Sequence, residues 1–285
     1  MTKKKFILKL TCLDKAGIVA HVTTELFHLE GIIINSDQFS DPDTGQFFMR
    51  IVFEIEDTVN IQKEIEKQLL PIFKTHEITW QLSDSEHKPS VLILCSKQEH
   101  CLNHLLSKHR SGGLNIDIKA IGSNHPLLEE VASWYKIPFH HLPITPNTKK
   151  QQELQIQKLV EDQKIDYIIL ARYMQILSPE FCDIYKGRII NIHHSFLPGF
   201  KGANPYRQAH ERGVKIIGAT AHFVTDDLDE GPIIAQETIR VGHEHSVNEL
   251  TRYGADIEAL VLARAVKQVS EYRVFIDKNK TVVFK

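Results

Sequence analysis

Cysteine is scarce: four residues in 285, Cys12, Cys95, Cys101 and Cys182, scattered with no C-x-x-C pair and no zinc-ligand spacing. That excludes a zinc ribbon, gives no sign of a disulfide framework, and fits a reducing, cytoplasmic compartment. An excess of one charge is also lacking. The 34 basic and 36 acidic residues leave a net charge of −2, so nothing draws the chain broadly toward nucleic acid or an anionic membrane. No apolar run approaches the roughly 20 residues of a membrane span. The strand-like Phe6–Leu10 that follows the basic Lys3-Lys-Lys5 is too short for a signal peptide. Glycine is missing from Cys95–His100, the turn after the first strand of the second half. Without it the backbone cannot form a phosphate cradle, which excludes a dinucleotide fingerprint and a P-loop. Histidine is plentiful, at 16 residues, yet no H-E-x-x-H occurs and most sit in polar contexts such as Lys108-His109-Arg110. They read as solvated side chains, and no metal is expected.

What is present is ordinary for a globular protein, with length for one large domain or two unequal ones. Residues 6–12 alternate as a strand. Asp14 is placed to cap a helix carrying Ile18, Val22, Leu26 and Leu29, stopped by Gly31. The run Ile32-Ile-Ile34, the turn Asp41–Gly45 and the segment Phe47–Ile55 predict a hairpin. A second helix carries Ile61, Ile65, Leu69 and Ile72, and Glu77–Leu82 is a last strand. The order βαββαβ predicts a ferredoxin-like domain over 1–84, and the polar stretch 85–90, which carries Pro89, is a linker. From 91 to 285 strands alternate with helices: Val91–Cys95, Ile116–Ile121, Phe139–Leu142, Ile165–Leu170 and Arg188–Ile192. That rhythm predicts an open, mostly parallel α/β sheet, whose ligands sit beyond the carboxyl ends of its strands.

Chemistry is therefore sought after residues 95, 170 and 192. The last strand ends Asn191-Ile-His193-His194, and a period of two puts Asn191 and His193 on one side. An amide donor can hold an oxyanion while an imidazole moves a proton near neutral pH, as acyl transfer requires. On the tripeptide alone, an asparagine tying down a turn and two ordinary loop histidines are the simpler reading. Thr225–Pro232 is an acidic loop between two strands. Its Asp226, Asp227, Asp229 and Glu230 either solvate a turn or deliver a carboxylate to orient His193.

These segments, NIHHSFLPGFKGANPY and GATAHFVTDDLDEGPII, resemble the formyltransferase fold that binds 10-formyltetrahydrofolate, over about 90–275. The resemblance implies a catalytic trio of Asn191, His193 and Asp229. It places Arg172, Met174, Ile176 and Leu177 in the folate pocket, with Asp226, Asp227 and Leu228 at the pterin's polar edge. Plain core packing is the alternative for Met174, Ile176 and Leu177. The glycine-free turn at 96–100 departs from the transformylases that act on a ribonucleotide. An extra RNA-binding domain, expected of a tRNA formyltransferase, has no counterpart after 275. Leu13-Asp-Lys-Ala-Gly-Ile18 instead resembles the opening of an ACT domain, which implies an amino-acid effector near Asp14, Gly17 and Ile18, and a homo-oligomer. An ACT domain joined to this fold is similar to the formyltetrahydrofolate deformylases. They imply hydrolysis of 10-formyltetrahydrofolate by water, supplying formate for purine synthesis, with the folate as substrate and no separate cofactor. Transfer of the formyl group to an unidentified amine is the alternative.

Overall fold

The computed structural model describes residues 2–197 and 205–285. It forms two compact units: Met1–His87 with Glu271–Phe275 and Val282–Lys285, and Lys88–Ser270 with Ile276–Thr281.

In the first unit the order is β1 (Lys3–Leu13), α1 (Ile18–His28), β2 (Ile32–Ser40), β3 (Gln46–Glu56), α2 (Ile61–Thr75) and β4 (Thr79–Asp84). The strands pair antiparallel in the order β2-β3-β1-β4. Alternation along β1 turns Phe6, Leu8, Leu10 and Cys12 inward. Ile18, Val22 and Leu26 of α1, with Ile61, Ile65, Leu69 and Phe73 of α2, meet them at helical spacing to close one core. Two details differ from expectation. Asp14 does not cap α1; Gly17, with φ of 92°, holds that position without a side-chain cap, and the Asp14 N–H donates to Gly45 O at 2.8 Å. The helix also ends before Gly31: Glu30 takes the left-handed turn at φ 57°, and the Gly31 N–H closes onto Leu26 O.

The first unit also takes in part of the C-terminal tail, which the sequence had left with the second domain. Arg50 donates to Glu271 O at 3.0 and 3.2 Å, and the Lys9 ammonium donates to Val274 O. Phe275 packs edge-on against Phe48, ring centres 5.6 Å apart.

The second unit runs β5 (Ser90–Cys95), α3 (His100–Arg110), β6 (Asp117–Ser123), α4 (Glu129–Trp134), β7 (Phe139–His141), α5 (Lys149–Asp162), β8 (Tyr167–Ala171), α6 (Pro179–Ile184) and β9 (Ile189–His193). Then follow α7 (Pro205–Glu211), β10 (Ile216–Phe223), β11 (Ile233–Arg240) and α8 (Val247–Ser270); the chain ends in a separate hairpin of β12 (Val274–Asp277) and β13 (Lys280–Val283). The sheet order is β11-β10-β9-β8-β5-β6-β7. Strands β5 to β9 are parallel, and β10 is antiparallel to both its neighbours. The chain builds outward from β5 to β6 and β7, then returns to lay β8 and β9 on the other side. The sheet thus has a topological switch between β5 and β8, where ligands of open α/β sheets bind. Val91–Cys95 is buried throughout, as a strand covered on both faces must be. On one face α5 and α6 bury Ile156, Phe181 and Tyr185 against Leu92, Leu94 and Leu170. On the other, α8 packs on α3, β9, β10 and β11.

Candidate active site

Strand β9 carries Asn191 and His193 to the carboxyl edge of the sheet. Its antiparallel pairing sets His222 of β10 directly across from Asn191, and Thr220 across from His193. The Asn191 amide lies 3.2 Å from Nε2 of His222, whose Nδ1 is 2.8 Å from Phe223 O. A carbonyl oxygen only accepts, so Nδ1 carries the proton and Nε2 is left to accept from the amide. Asn191 keeps a second N–H for another partner. His193 places Nδ1 3.2 Å from Oδ2 of Asp229, while its Nε2 is buried with no partner among the described residues. Nε2 of His222 stands 3.7 Å from the other oxygen of Asp229. His193 and His222 are both almost fully enclosed.

Asp229 reaches this place because its loop folds back on β10. The Phe223 N–H donates to Pro232 O at 2.9 Å. A Cβ on Gly231 would lie 1.8 Å from Phe223 O, so only glycine lets the two backbones approach. Asp229 itself has φ of 58°, a left-handed conformation that aspartate tolerates better than most residues. Burial pushes its carboxyl up, but the hydrogen bond from His193 outweighs burial and holds it well below the usual carboxylate range. The turn after β9 is anchored as well. Thr220 donates to Ser195 O and accepts from the Leu197 N–H, and Gln236 donates to both Thr220 and Leu197 O. The next stretch of the motif, 198–204, lies outside the described residues.

A cavity of about 960 Å³ opens on these groups. One part is lined by the loop after β8 and by Val224, Thr225, Asp226 and Leu228. All four of Tyr173, Met174, Ile176 and Leu177 line it; Tyr173 and Leu177 are buried in the α5–α6 core as well, whereas Met174 and Ile176 are 60% and 64% exposed. Core packing thus does not account for Met174 or Ile176, while Leu177 both packs in the core and lines the cavity. Asp226 and Leu228 also line the cavity; Asp227 lies outside its lining. Arg172 and Met174 both have φ of 61°. The loop they belong to is tied to α5: the Tyr173 hydroxyl donates to Gln152 at 3.0 Å, and Ser178 donates to Glu153 through its N–H at 2.8 Å and its hydroxyl at 2.6 Å.

Another part of the cavity is lined by charge. Arg172 turns its guanidinium away from that loop, to Gln98 at 2.6 Å and Glu258 at 3.3 Å. His100 lies 2.8 Å from the same carboxylate, and Tyr206 donates to its other oxygen. Burial raises the Glu258 carboxyl, but His100, Arg172 and Tyr206 bring it below its ordinary value. His100, Cys101 and Glu258 also offer three ligand atoms within 4.8 Å of one another. The carboxylate already bonds to His100 and Tyr206 and pairs with Arg172, however, and burial holds the Cys101 thiol protonated. The group reads as an ion-pair network. His194, with its ring 4.8 Å from that of His193, is pushed down to about 4 by burial and by the charges of Arg172 and His193.

In the first unit, Gly17 opens α1, Asp14 is exposed and Ile18 is buried in the core. His222 and Glu258 went unnoticed in the sequence. Each is a polar residue inside an apolar segment, ATAHFV of β10 and DIEALV of α8, and that interruption was the available signal.

A family model described as formyl transferase matches residues 90–266. A formyltetrahydrofolate deformylase from Synechocystis sp. is 44% identical over 277 residues, 97% of each chain. One from Bacillus subtilis is 43% identical, over 97% of this chain and 93% of its own. The crystal structure of a formyltetrahydrofolate deformylase from Burkholderia mallei superposes with a TM-score of 0.95 at 47% identity, covering 99% of this chain and all of the other.

Proposed function

We infer the chemistry of the site from the family to which the chain belongs, the formyltetrahydrofolate deformylases. The chain hydrolyses 10-formyltetrahydrofolate to formate and tetrahydrofolate. The observation that carries the mechanism is Nε2 of His193, without a partner among the described residues, oriented through Nδ1 by Asp229 and set beside an Asn191 amide with one N–H to spare. Water attacks the formyl carbon and passes a proton to Nε2. The tetrahedral oxyanion accepts a hydrogen bond from Asn191, and the imidazolium is stabilised by the ionised Asp229. As the C–N10 bond breaks, His193 returns the proton to N10, releasing tetrahydrofolate and formate. Met174, Ile176 and Leu228 hold the pterin, with Asp226 at its polar edge. His222 acts through Asn191 as a positioning residue. The test is Asn191→Ala: formate release falls by about 10²–10³ while folate affinity is kept, since the lost bond forms mainly in the transition state. Near-normal turnover would remove Asn191 from this role.

The remaining readings concern setting and assembly. Among the described residues no helix is long and apolar enough to cross a membrane, and all four cysteines are free and buried, which supports a reducing, cytoplasmic setting. The edge strand β2 exposes Ile32, Ile34 and Phe39 at 50%, 52% and 42%, which supports pairing of two copies along that edge. An amino acid bound near Asp14 and Gly17 would regulate the enzyme by favouring one of its states. Full-length protein whose rate and Tm ignore every amino acid tried would leave this unit an assembly module.

A further inference from the structure

We propose that Thr281, on the hairpin that ends the chain, is a positioning residue for the reaction: it holds Ile233, the cross-strand partner of His222, and so keeps His222 on the Asn191 amide. The inference deepens the hydrolytic reading above and rests on it.

The start of β11 is poorly held by its own sheet. Among the described residues β11 is an edge strand, with β10 on one side only. Its register with β10 is interrupted between Ala221 and His222. Pro232 has no N–H, so where it meets Phe223 a single bond remains, from the Phe223 N–H to Pro232 O. Bonded and non-bonded pairs alternate along an antiparallel ladder. The next pair, His222 with Ile233, is therefore a non-bonded one, and the Ile233 carbonyl turns away from β10 toward the open edge.

The same register decides the chemistry of His222. An ordinary residue at 232 would donate its N–H to Phe223 O. Proline leaves that oxygen to His222 Nδ1, at 2.8 Å, and this is what bares Nε2 for the Asn191 amide at 3.2 Å. A slip of β11 by one residue would bring the N–H of Gly231 or Ile233 to Phe223 O and compete with the imidazole for it.

Thr281 supplies the hold that the ladder lacks. Its hydroxyl donates to Ile233 O. The hairpin β12–β13 forms a sheet of its own, yet Ile276–Thr281 belong to the second compact unit. A further contact seats the hairpin there: a Cβ on Gly187 would lie 3.2 Å from Ile276 Cδ1. Gly187 stands just before β9, the strand of Asn191 and His193. One short hairpin thus meets the approach to both strands that flank β10.

The experiment uses the full-length chain and follows formate release from 10-formyltetrahydrofolate. Thr281→Val keeps the branched shape and removes the donor. Its kcat falls about tenfold with the folate KM within about twofold, because displaced groups cost rate while the folate loop after β8 is held from α5. Thr281→Ser keeps the hydroxyl and recovers most of the loss. In a His222→Ala background Thr281→Val costs no more than about twofold further, since both changes release the same group. A merely structural role would lower Tm, leave the kcat of the folded enzyme alone, and give losses that multiply. Wild-type kcat in folded Thr281→Val, or in Thr281→Ala where the valine variant does not fold, would overturn the proposal, as would multiplying losses. Imidazole ¹⁵N shifts of His222 read the hold without turnover: Nδ1 carries the proton in the wild type, and the Thr281→Val enzyme shows a mixture of tautomers. An unchanged His222 spectrum in that variant would also overturn the proposal, whereas wild type that releases no formate would overturn the hydrolytic reading.

Discussion

At the scale of single residues the site depends on which nitrogen holds which proton. His222 gives its Nδ1 proton to Phe223 O and so presents a bare Nε2 to the Asn191 amide. Without that acceptor the amide is free to rotate, and a displacement of about 1 Å costs on the order of 10² in rate. His222→Ala is therefore expected to lower kcat by about that factor with KM little changed. His222→Gln, whose side-chain oxygen can accept from the amide, recovers part of the loss. An alanine variant with wild-type kcat would leave His222 with no positioning role. His194 is a different case. Its folded value of about 4 lies below the ordinary histidine value of about 6.5, because burial and the neighbouring charges oppose its protonation. A depressed value makes the unfolded chain bind protons first as the medium acidifies. Stability linked to His194 is thus complete above pH ~6.5 and declines as pH falls toward 4. In His194→Gln the fall in Tm across that window should be shallower; an unchanged slope contradicts the assignment.

At the scale of elements, the helix α5 holds a loop it does not touch in sequence. Glu153 accepts both the backbone N–H and the hydroxyl of Ser178, which in turn caps α6 by accepting from the Phe181 N–H. Gln152 holds the Tyr173 hydroxyl one turn of loop earlier. These bonds keep Met174 and Ile176 facing the cavity although both flanking residues, Tyr173 and Leu177, point into the core. Glu153→Ala strands a buried donor pair, a loss of roughly 1.5–3 kcal/mol, and should raise the folate KM by about tenfold. The trio stands on β9 and on the loop after β10, so kcat is expected to change little. Steady-state kinetics decides: a fall in kcat with KM unchanged would place Glu153 in the chemistry rather than in substrate binding.

At the scale of the whole molecule, every residue assigned to the reaction belongs to the second compact unit, while the exposed apolar edge belongs to the first. A strand edge carrying Ile32, Ile33 and Ile34 in the open is a standing liability unless something pairs with it. Ile34→Lys should lower the mass measured by analytical ultracentrifugation to that of one chain. An unchanged assembly would move the contact to another surface.

Much of this was written locally. Alternation along 6–12 and helical spacing over 61–73 specify β1 and α2 because one buried face suffices to choose strand or helix. The period of two places Asn191 and His193 together with no knowledge of the rest of the chain. The resemblance of the two long segments supplied Asp229, and Gly231 marks the spot where its loop closes. What the sequence could not decide is whatever depends on register and distant contact. His222 meets Asn191 only because β10 pairs antiparallel with β9 at one register, and a slip of one residue would have turned it to the other face. Arg172 sits in a segment that resembles a folate loop, yet its side chain is drawn to Glu258, 86 positions later on α8, by a charge that no local pattern announces. The stretch Glu271–Phe275, likewise, joins the first unit through Arg50, Lys9 and Phe48. Local patterning determines which elements form, because it acts through each segment's own burial; partners across the fold are chosen by packing and charge, which exist only once the chain has closed.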